Sequence, residues 1–452
     1  MKKINVLTLG DDPRHLSGVA HCLKDICTSL LATGGFRIVS LGAAMKHQDM
    51  SMVKLKEDWW VVPVEGFGNI DQVKGIIRDN DINIVLFQSD PRFYDWLLCR
   101  DNEIRQRIPM IWYTIWDNYP YPIFNDWIWN SVDVSVAISR LTHDLISEVS
   151  KNTELYYMPH CVNSQVYKKL PKEEIIKFAN KVAPQSKDKF VIFWNNRNGR
   201  RKNGASLVVW FNKFLDKVGR DKAVLLMHTD PIDPNGFNLP EIIQGFNLEN
   251  AVYISGTKVD EFTMANFYNL ADVTINISNA EGFGMGTLES LSCGTPIIAT
   301  WTGGMREQLC DDINSPENWY GVPIFPASRT IVGSPELPWI YEDNVSEEGV
   351  VNALETMYNL TSEERELWGT KGIEHVQSNF NYENFQKFWP SLLNKVINEG
   401  PNKAYLRWTQ EIVDCKQKFE STKIPTDLPP SANINNSHFE KFMNCWKNTK
   451  DL

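Results

Sequence analysis

At 452 residues the chain is long for one domain, and two or three domains are the expectation from length. Hydrophobic residues make up 42% and charged residues 23%, an ordinary balance for a soluble globular protein. The net charge of −10 argues against nucleic acid as a partner and gives no general attraction to anionic lipid, leaving peripheral membrane contact at most. The eight cysteines are scattered, with no Cys-x-x-Cys pair and no Cys/His cluster at zinc spacing, which fits a reducing cytoplasm. The opening Met1–Gly10 is too short an apolar run for a signal peptide, and Asp11-Asp12 interrupts it. No other run is long enough to cross a bilayer, so a cytoplasmic location is expected.

In chain order, apolar runs at Ile4–Leu9, Arg37–Leu41, Trp59–Val64, Ile82–Phe87, Met110–Ile115 and Val134–Ile138 read as strands. Amphipathic stretches at Leu16–Leu31, Ile70–Asp79, Phe93–Arg107 and Leu141–Ser150 read as helices between them. Continuous apolar strands alternating with helices predict a parallel sheet covered on both faces, in one doubly wound α/β domain.

A polar stretch from Asn163 to Lys189 follows, and then the pattern restarts. Strands are expected at Phe190–Trp194, Ala223–Met227, Val252–Ser255, Val273–Ile277 and Pro296–Ala299, with helices at Ser206–Val218, Asp260–Ala271 and Gly303–Leu309. Ser315–Tyr341, rich in Pro and Gly, reads as a loop or lid. Beyond Val345 the signal turns helical through the aromatic-rich Phe380–Trp389, and a polar, Asn-rich tail with helical patches begins at Pro401.

Chemistry gathers just past predicted strand ends, where two facing α/β units offer a shared cleft. Ser17-Gly18, after the first strand, opens a helix whose start can face a phosphate, or serves as a plain cap. Arg197, Arg200, Arg201 and Lys202 crowd one turn after Trp194, an arrangement suited to a diphosphate as well as to a solvated face. The richest segment runs from Asn279 to Glu289. Gly282, Gly284 and Gly286 let backbone N–H groups approach a ligand at a helix start, flanked by Glu281 and Glu289. Carboxylates accept hydrogen bonds from vicinal hydroxyls, so the segment suits a sugar or ribose beside a phosphate. Its glycine spacing is wrong for a dinucleotide fingerprint, and the next strand ends in Thr300-Trp301 rather than an acid. Asp79-Asn-Asp81 matches a D-x-D pattern but falls between helix and strand and reads as a turn.

Together these motifs resemble a family 4 retaining glycosyltransferase over roughly residues 1–395. Glu281 and Glu289 reproduce that family's E-x7-E signature with Gly282-Phe283-Gly284 inside it; Arg197 and Lys202 match its Arg…Lys diphosphate clamp; Ser17-Gly18 matches its N-terminal loop. Gly294-Thr-Pro-Ile-Ile-Ala299, Gly303-Gly304 with Glu307, and Met158–Asn163 are also similar to the family's pattern. The resemblance implies a GT-B architecture of two Rossmann-like domains facing a cleft. Residues 1–165 would be the acceptor side, 166–380 the nucleotide-sugar donor side, and 381–452 helices and tail returning to the first domain. It implies Glu281 on the transferred sugar, Glu289 on the ribose, and Phe283, Gly284, Met285, Gly286 and Thr287 around the donor. Arg197 and Lys202 would offset charge on the leaving diphosphate. No metal and no cofactor are expected; the partners are a nucleotide-diphosphate sugar and a hydroxyl acceptor such as a glycan.

One position departs from the pattern: Trp116 stands where the family has a His before Asp117. His15, in the first loop, is the best-placed substitute, while His143, His160 and His228 read as structural. Two alternatives therefore stay open, a nucleotide-sugar 2-epimerase and a non-catalytic sugar-nucleotide-binding protein.

Overall fold

The computed structural model describes residues 3–150, 153–310 and 319–401. The first sheet holds β1 (Ile4–Asp11), β2 (Phe36–Ala43), β3 (Val53–Lys56), β4 (Trp59–Pro63), β5 (Ile84–Phe87), β6 (Met110–Thr114), β7 (Val134–Ala137) and β8 (Glu154–Tyr157). Their order is β3-β4-β2-β1-β5-β6-β7-β8, parallel except for the edge strand β3. The second sheet holds β9 (Phe190–Asn195), β10 (Ala223–His228), β11 (Val252–Ser255), β12 (Val273–Asn276), β13 (Ile297–Thr300) and β14 (Gly321–Ile324), all parallel in the order β11-β10-β9-β12-β13-β14. In both sheets the direction of strand addition reverses beside the first strand, so crevices open at the carboxyl ends of β1 and β9. Nearly every residue of the inner strands is buried, as a sheet covered by helices on both faces requires.

Helices Gly18–Ala32, Ile70–Asp79 and Arg140–Val149 flank the first sheet, and Gly204–Val218, Glu261–Leu270 and Met285–Ser292 flank the second. Ser17, Asn69, Ser139 and Asp260 cap four of these helices with side-chain acceptors, which explains why they start where they do. Three helices follow, Glu347–Asn359, Ser362–Asn379 and Tyr382–Glu399. The last of them returns to the first sheet: Phe385, Trp389 and Leu393 share one buried cluster with Leu23, Ile26 and Tyr113, and the Trp389 ring meets the edge of Tyr113 at 5.0 Å.

Several elements differ from expectation. The single helix expected over Phe93–Arg107 is broken into the short turns Pro91–Phe93, Asp95–Leu98 and Asn102–Arg105. There the buried Arg105 guanidinium is held by Asp101 (2.8 Å) and Asp133 (3.0 Å), so tertiary contacts override the local pattern. Strands β3 and β8 lie at sheet edges and are half exposed, and neither has the continuous apolar run that marks an inner strand. The Ser315–Tyr341 segment contains ordered strands rather than a loop: β14, then most of an antiparallel hairpin of β15 (Ser328–Ser334) and β16 (Leu337–Asn344). Residues 315–318 of that segment and the tail from residue 402 lie outside the described residues.

Candidate active site

Two loops of the second domain build the core of the site. After β9 the chain turns through a short 3-10 helix, Arg200–Lys202, and reverses at Asn203, whose φ is +57°. After β12 it runs through Glu281 to Gly284, which holds φ +91° at the start of helix Met285–Ser292. Asn203 Nδ2 donates to the Ile277 carbonyl (2.9 Å), and the Asn279 N–H donates to the Arg201 carbonyl (2.8 Å), fastening the two loops together.

Glu281 is buried, and its carboxylate accepts from Lys202 Nζ and from Ser278 Oγ (3.1 Å), with Arg201 3.6 Å away. Burial alone would raise its pKa, but the Lys202 and Arg201 charges outweigh that and pull it down to about 2. Lys202 is pushed down by burial, a shift opposed chiefly by Glu281. The site therefore holds a buried carboxylate, ionised at neutral pH, beside two cations. Glu289, one turn into the helix, is also buried; its carboxylate accepts from Tyr268 Oη (2.7 Å), which in turn accepts from Asn195 Nδ2 (2.8 Å). Burial raises the Glu289 pKa, the reverse of Glu281.

The other predicted residues of this segment fall into two groups. Gly284, Met285 and Gly286 form the first turn of the helix, where N–H groups lack intrahelical acceptors and are aimed outward. The Phe283 ring points inward instead, edge-on to Phe380 at 5.9 Å, while its carbonyl accepts from Gln308 (2.8 Å). Thr287 bonds the Gly284 carbonyl (2.8 Å) and Gln308 (2.6 Å), so its hydroxyl braces the turn.

The first domain supplies the facing wall through the loop after β6. Asp117 reaches within 3.7 Å of Arg201, and a side chain at Gly282 would meet Ile115 at 2.2 Å. Asn118 is buried, its amide donating to Asp343 (2.8 Å) and Thr302 (3.2 Å) of the second domain. Trp116 turns away: its indole donates to the Asn118 carbonyl (2.7 Å) and meets the edge of Phe124 at 6.0 Å. Ser17 caps its helix by accepting from the Ala20 N–H (3.0 Å) and donates to Asp11 (2.5 Å), leaving Gly18 exposed. One turn on, His21 meets Glu261 of the second domain at 2.9 Å. His15 stands 3.9 Å from Asp11 in the same loop.

Arg197 is the predicted residue that the structure leaves outside the group. Its guanidinium is exposed and bonds Asp233 (2.9 Å). Arg201, which the sequence placed in the cluster without a separate role, occupies the position beside Glu281 and Asp117. Tyr268, the partner of Glu289, was not singled out, and nothing in its local sequence marks it. Along the same seam, a cavity of about 410 Å³ is lined by Tyr119, Arg140, Tyr157, Arg306, Glu307 and His375 among others.

Residues 175–316 match the sequence profile of the family described as Glycosyl transferases group 1. The segment includes both loops that surround Glu281. N-acetyl-alpha-D-glucosaminyl L-malate synthase of Bacillus anthracis is 25% identical over 192 residues, 42% of this chain. That alignment spans 47% of the relative, about half its length. Sucrose-phosphate synthase from Thermosynechococcus elongatus has a similar fold, with a TM-score of 0.70 over 88% of this chain and all of the other at 15% identity. Anabaena HepE, solved in complex with UDP and glucose, gives a TM-score of 0.63 over 88% of this chain and all of the other at 14% identity. These structural likenesses establish the GT-B fold, two Rossmann-like domains facing one cleft.

Proposed function

We propose that the protein is a retaining glycosyltransferase that moves a sugar from a nucleotide-diphosphate sugar to a hydroxyl acceptor. The observation that carries this reading is the buried, ionised Glu281 held by Lys202 and Arg201 at the mouth of a glycine-rich helix start. A carboxylate kept charged in a dry site can take hydrogen bonds from sugar hydroxyls, and the cations beside it can face a diphosphate. The family match and the UDP and glucose complex of a similarly folded protein support the same assignment.

In this reading residues 1–165 bind the acceptor and 166–380 the donor. Glu281 holds the transferred sugar and Glu289 the ribose, with Tyr268 orienting the Glu289 carboxylate. The N–H groups of Gly284, Met285 and Gly286 face the donor, and Ser17-Gly18 closes on it from the first domain. The bond between the anomeric carbon and the diphosphate oxygen breaks with its electron pair going to the diphosphate. The acceptor oxygen bonds to the anomeric carbon on the same face, and its proton passes to the departing phosphate oxygen. Lys202 and Arg201 offset the charge that develops, without a metal. Arg197 joins them by leaving Asp233, an exposed pair of the kind worth about 0–1 kcal/mol and therefore cheap to break.

The test is a thermal-shift panel of UDP, GDP, ADP and their sugars. A nucleotide at a hundred times its Kd should stabilise the fold by roughly 2.7 kcal/mol, an easily measured rise in Tm. One nucleotide and its sugar are expected to give that rise and Lys202→Met to abolish it. A flat response to the whole panel would end the transferase reading.

A further inference from the structure

The hairpin β15–β16 grows out of the second domain yet docks on the first. The Tyr341 N–H donates to the Tyr119 carbonyl (2.6 Å), and the Trp339 indole donates to the Tyr121 carbonyl (3.3 Å). The Trp339 ring also meets the edge of Phe124 at 5.0 Å, and Tyr119 meets Tyr121 at 5.5 Å. At the hairpin's base, Glu342 bonds Arg200 (2.6 and 3.0 Å) and the Asp343 N–H donates to the Asn279 carbonyl (2.8 Å). One element thus ties the basic turn, the Glu281 loop and the first-domain loop after β6 into a continuous wall.

That wall has a particular chemistry. Tyr121 is exposed and Trp339 half-buried, so aromatic surface faces the solvent at the cleft edge. Charges rim it: Arg92, bonded to Asp90 (2.5 Å), lies within electrostatic reach of Glu336 near the hairpin tip and of Asp117 on the first-domain loop after β6. Aromatic faces beside carboxylates and a guanidinium suit a ligand with one apolar C–H face and hydroxyls around its edge. A hydrocarbon chain lying here would strip water from those charges and put nothing polar in its place.

We infer that the hairpin is a specificity-determining wall of the acceptor subsite, on which Trp339 and Tyr121 receive the pyranose ring of a glycan acceptor while Arg92 and Glu336 take its hydroxyls. The inference rests on the donor reading above and assigns that site its acceptor class. The hairpin's contacts with both domains set this wall next to Asp117 and hence next to the transferred sugar.

The experiment uses the full chain and the responding nucleotide sugar, with maltotriose, cellotriose and triacetylchitotriose as acceptor probes. Nucleotide release and the nucleotide-induced rise in Tm are both measured. At least one oligosaccharide should stimulate release, and Trp339→Ala should raise its KM about tenfold, the scale of a lost aromatic contact, while the rise in Tm is kept. Trp339→Phe should restore most of the affinity, and Ile331→Ala on the exposed face of the hairpin should change neither readout. An unchanged KM in Trp339→Ala overturns the inference and leaves the donor reading standing. So does release stimulated only by phosphatidylglycerol vesicles carrying diacylglycerol, or by no probe at all. Loss of the nucleotide response in the parent protein overturns both.

Discussion

Glu281 remains ionised although it is almost fully buried, because Lys202 and Arg201 stand beside it and Ser278 donates to the same oxygen as Lys202. Removing one member of such a group leaves an uncompensated buried charge, which costs about 3–5 kcal/mol, whereas removing both partners costs much less. Glu281→Gln and Lys202→Met should therefore each destabilise the fold by more than the double variant's excess over either, with a coupling of several kcal/mol by order of magnitude. Urea denaturation of the four proteins measures this, and additive effects would show that the pair is not coupled. The pH dependence has a definite sign. A carboxyl pulled from 4.5 to about 2 contributes stability that is present above 4.5 and is lost as pH falls through about 2. Glu281→Gln should lack that part of the acid transition. The glutamates were readable because one short segment carries both, and Lys202 because its turn, like theirs, follows a strand end. Which arginine faces them was not, since it depends on Asp233, 36 residues from Arg197, capturing one side chain and leaving Arg201 to the site.

At the scale of elements, the site is a junction of three loops that interlock through glycines. Gly303 holds φ +50°, and a Cβ there would lie 1.7 Å from the Glu281 carbonyl oxygen and 2.7 Å from that of Asp117, while the next residue's N–H donates to Glu281 (2.9 Å). Both obstacles are backbone, so neither can yield without moving a loop. Gly303→Ala should destabilise by more than about 2 kcal/mol and weaken the nucleotide-induced rise in Tm. Gly75→Ala is the contrasting case. It sits within helix Ile70–Asp79 with open space around it, and alanine there should stabilise by about 0.5–1 kcal/mol. Equal denaturation midpoints for the two variants would rule out the interlock. The inner strands could be read from the sequence to within a few residues because burial on both faces writes an unbroken apolar run. The edge strands β3, β8 and β14 and the hairpin β15–β16 could not: β15 is almost wholly exposed, and the hairpin is held by Asn118, Tyr119 and Tyr121, more than two hundred residues away from β16.

For the whole molecule the question is what holds the two domains against each other, and Glu307 is one contact with a built-in pH dependence. It projects from the second domain to accept from Tyr157 Oη (2.7 Å) and from the Arg140 N–H (3.3 Å) at the start of a first-domain helix, with the Arg140 guanidinium 3.4 Å away. His375 faces the same turn and bonds the Glu307 carbonyl (2.8 Å). Burial raises the Glu307 pKa from 4.5 to about 7, more than Tyr157 and Arg140 can offset. The protonated carboxyl therefore favours the docked arrangement. Its contribution is complete below pH 4.5 and is lost as pH rises through about 7, a difference of roughly 3 kcal/mol at the extremes. Glu289 shifts in the same direction, so the wild-type slope alone does not isolate the effect. The comparison with Glu307→Gln does, because an amide keeps the shape and the acceptor for Tyr157 but does not titrate. Between pH 5 and 7.5 the Tm of the wild type should fall relative to that of Glu307→Gln, and small-angle scattering should show the wild-type radius of gyration rising while the variant's stays flat. Parallel Tm profiles for the two proteins would mean that Glu307 stays ionised in the docked state and that the seam is held by its other contacts, the hairpin and the returning C-terminal helix among them.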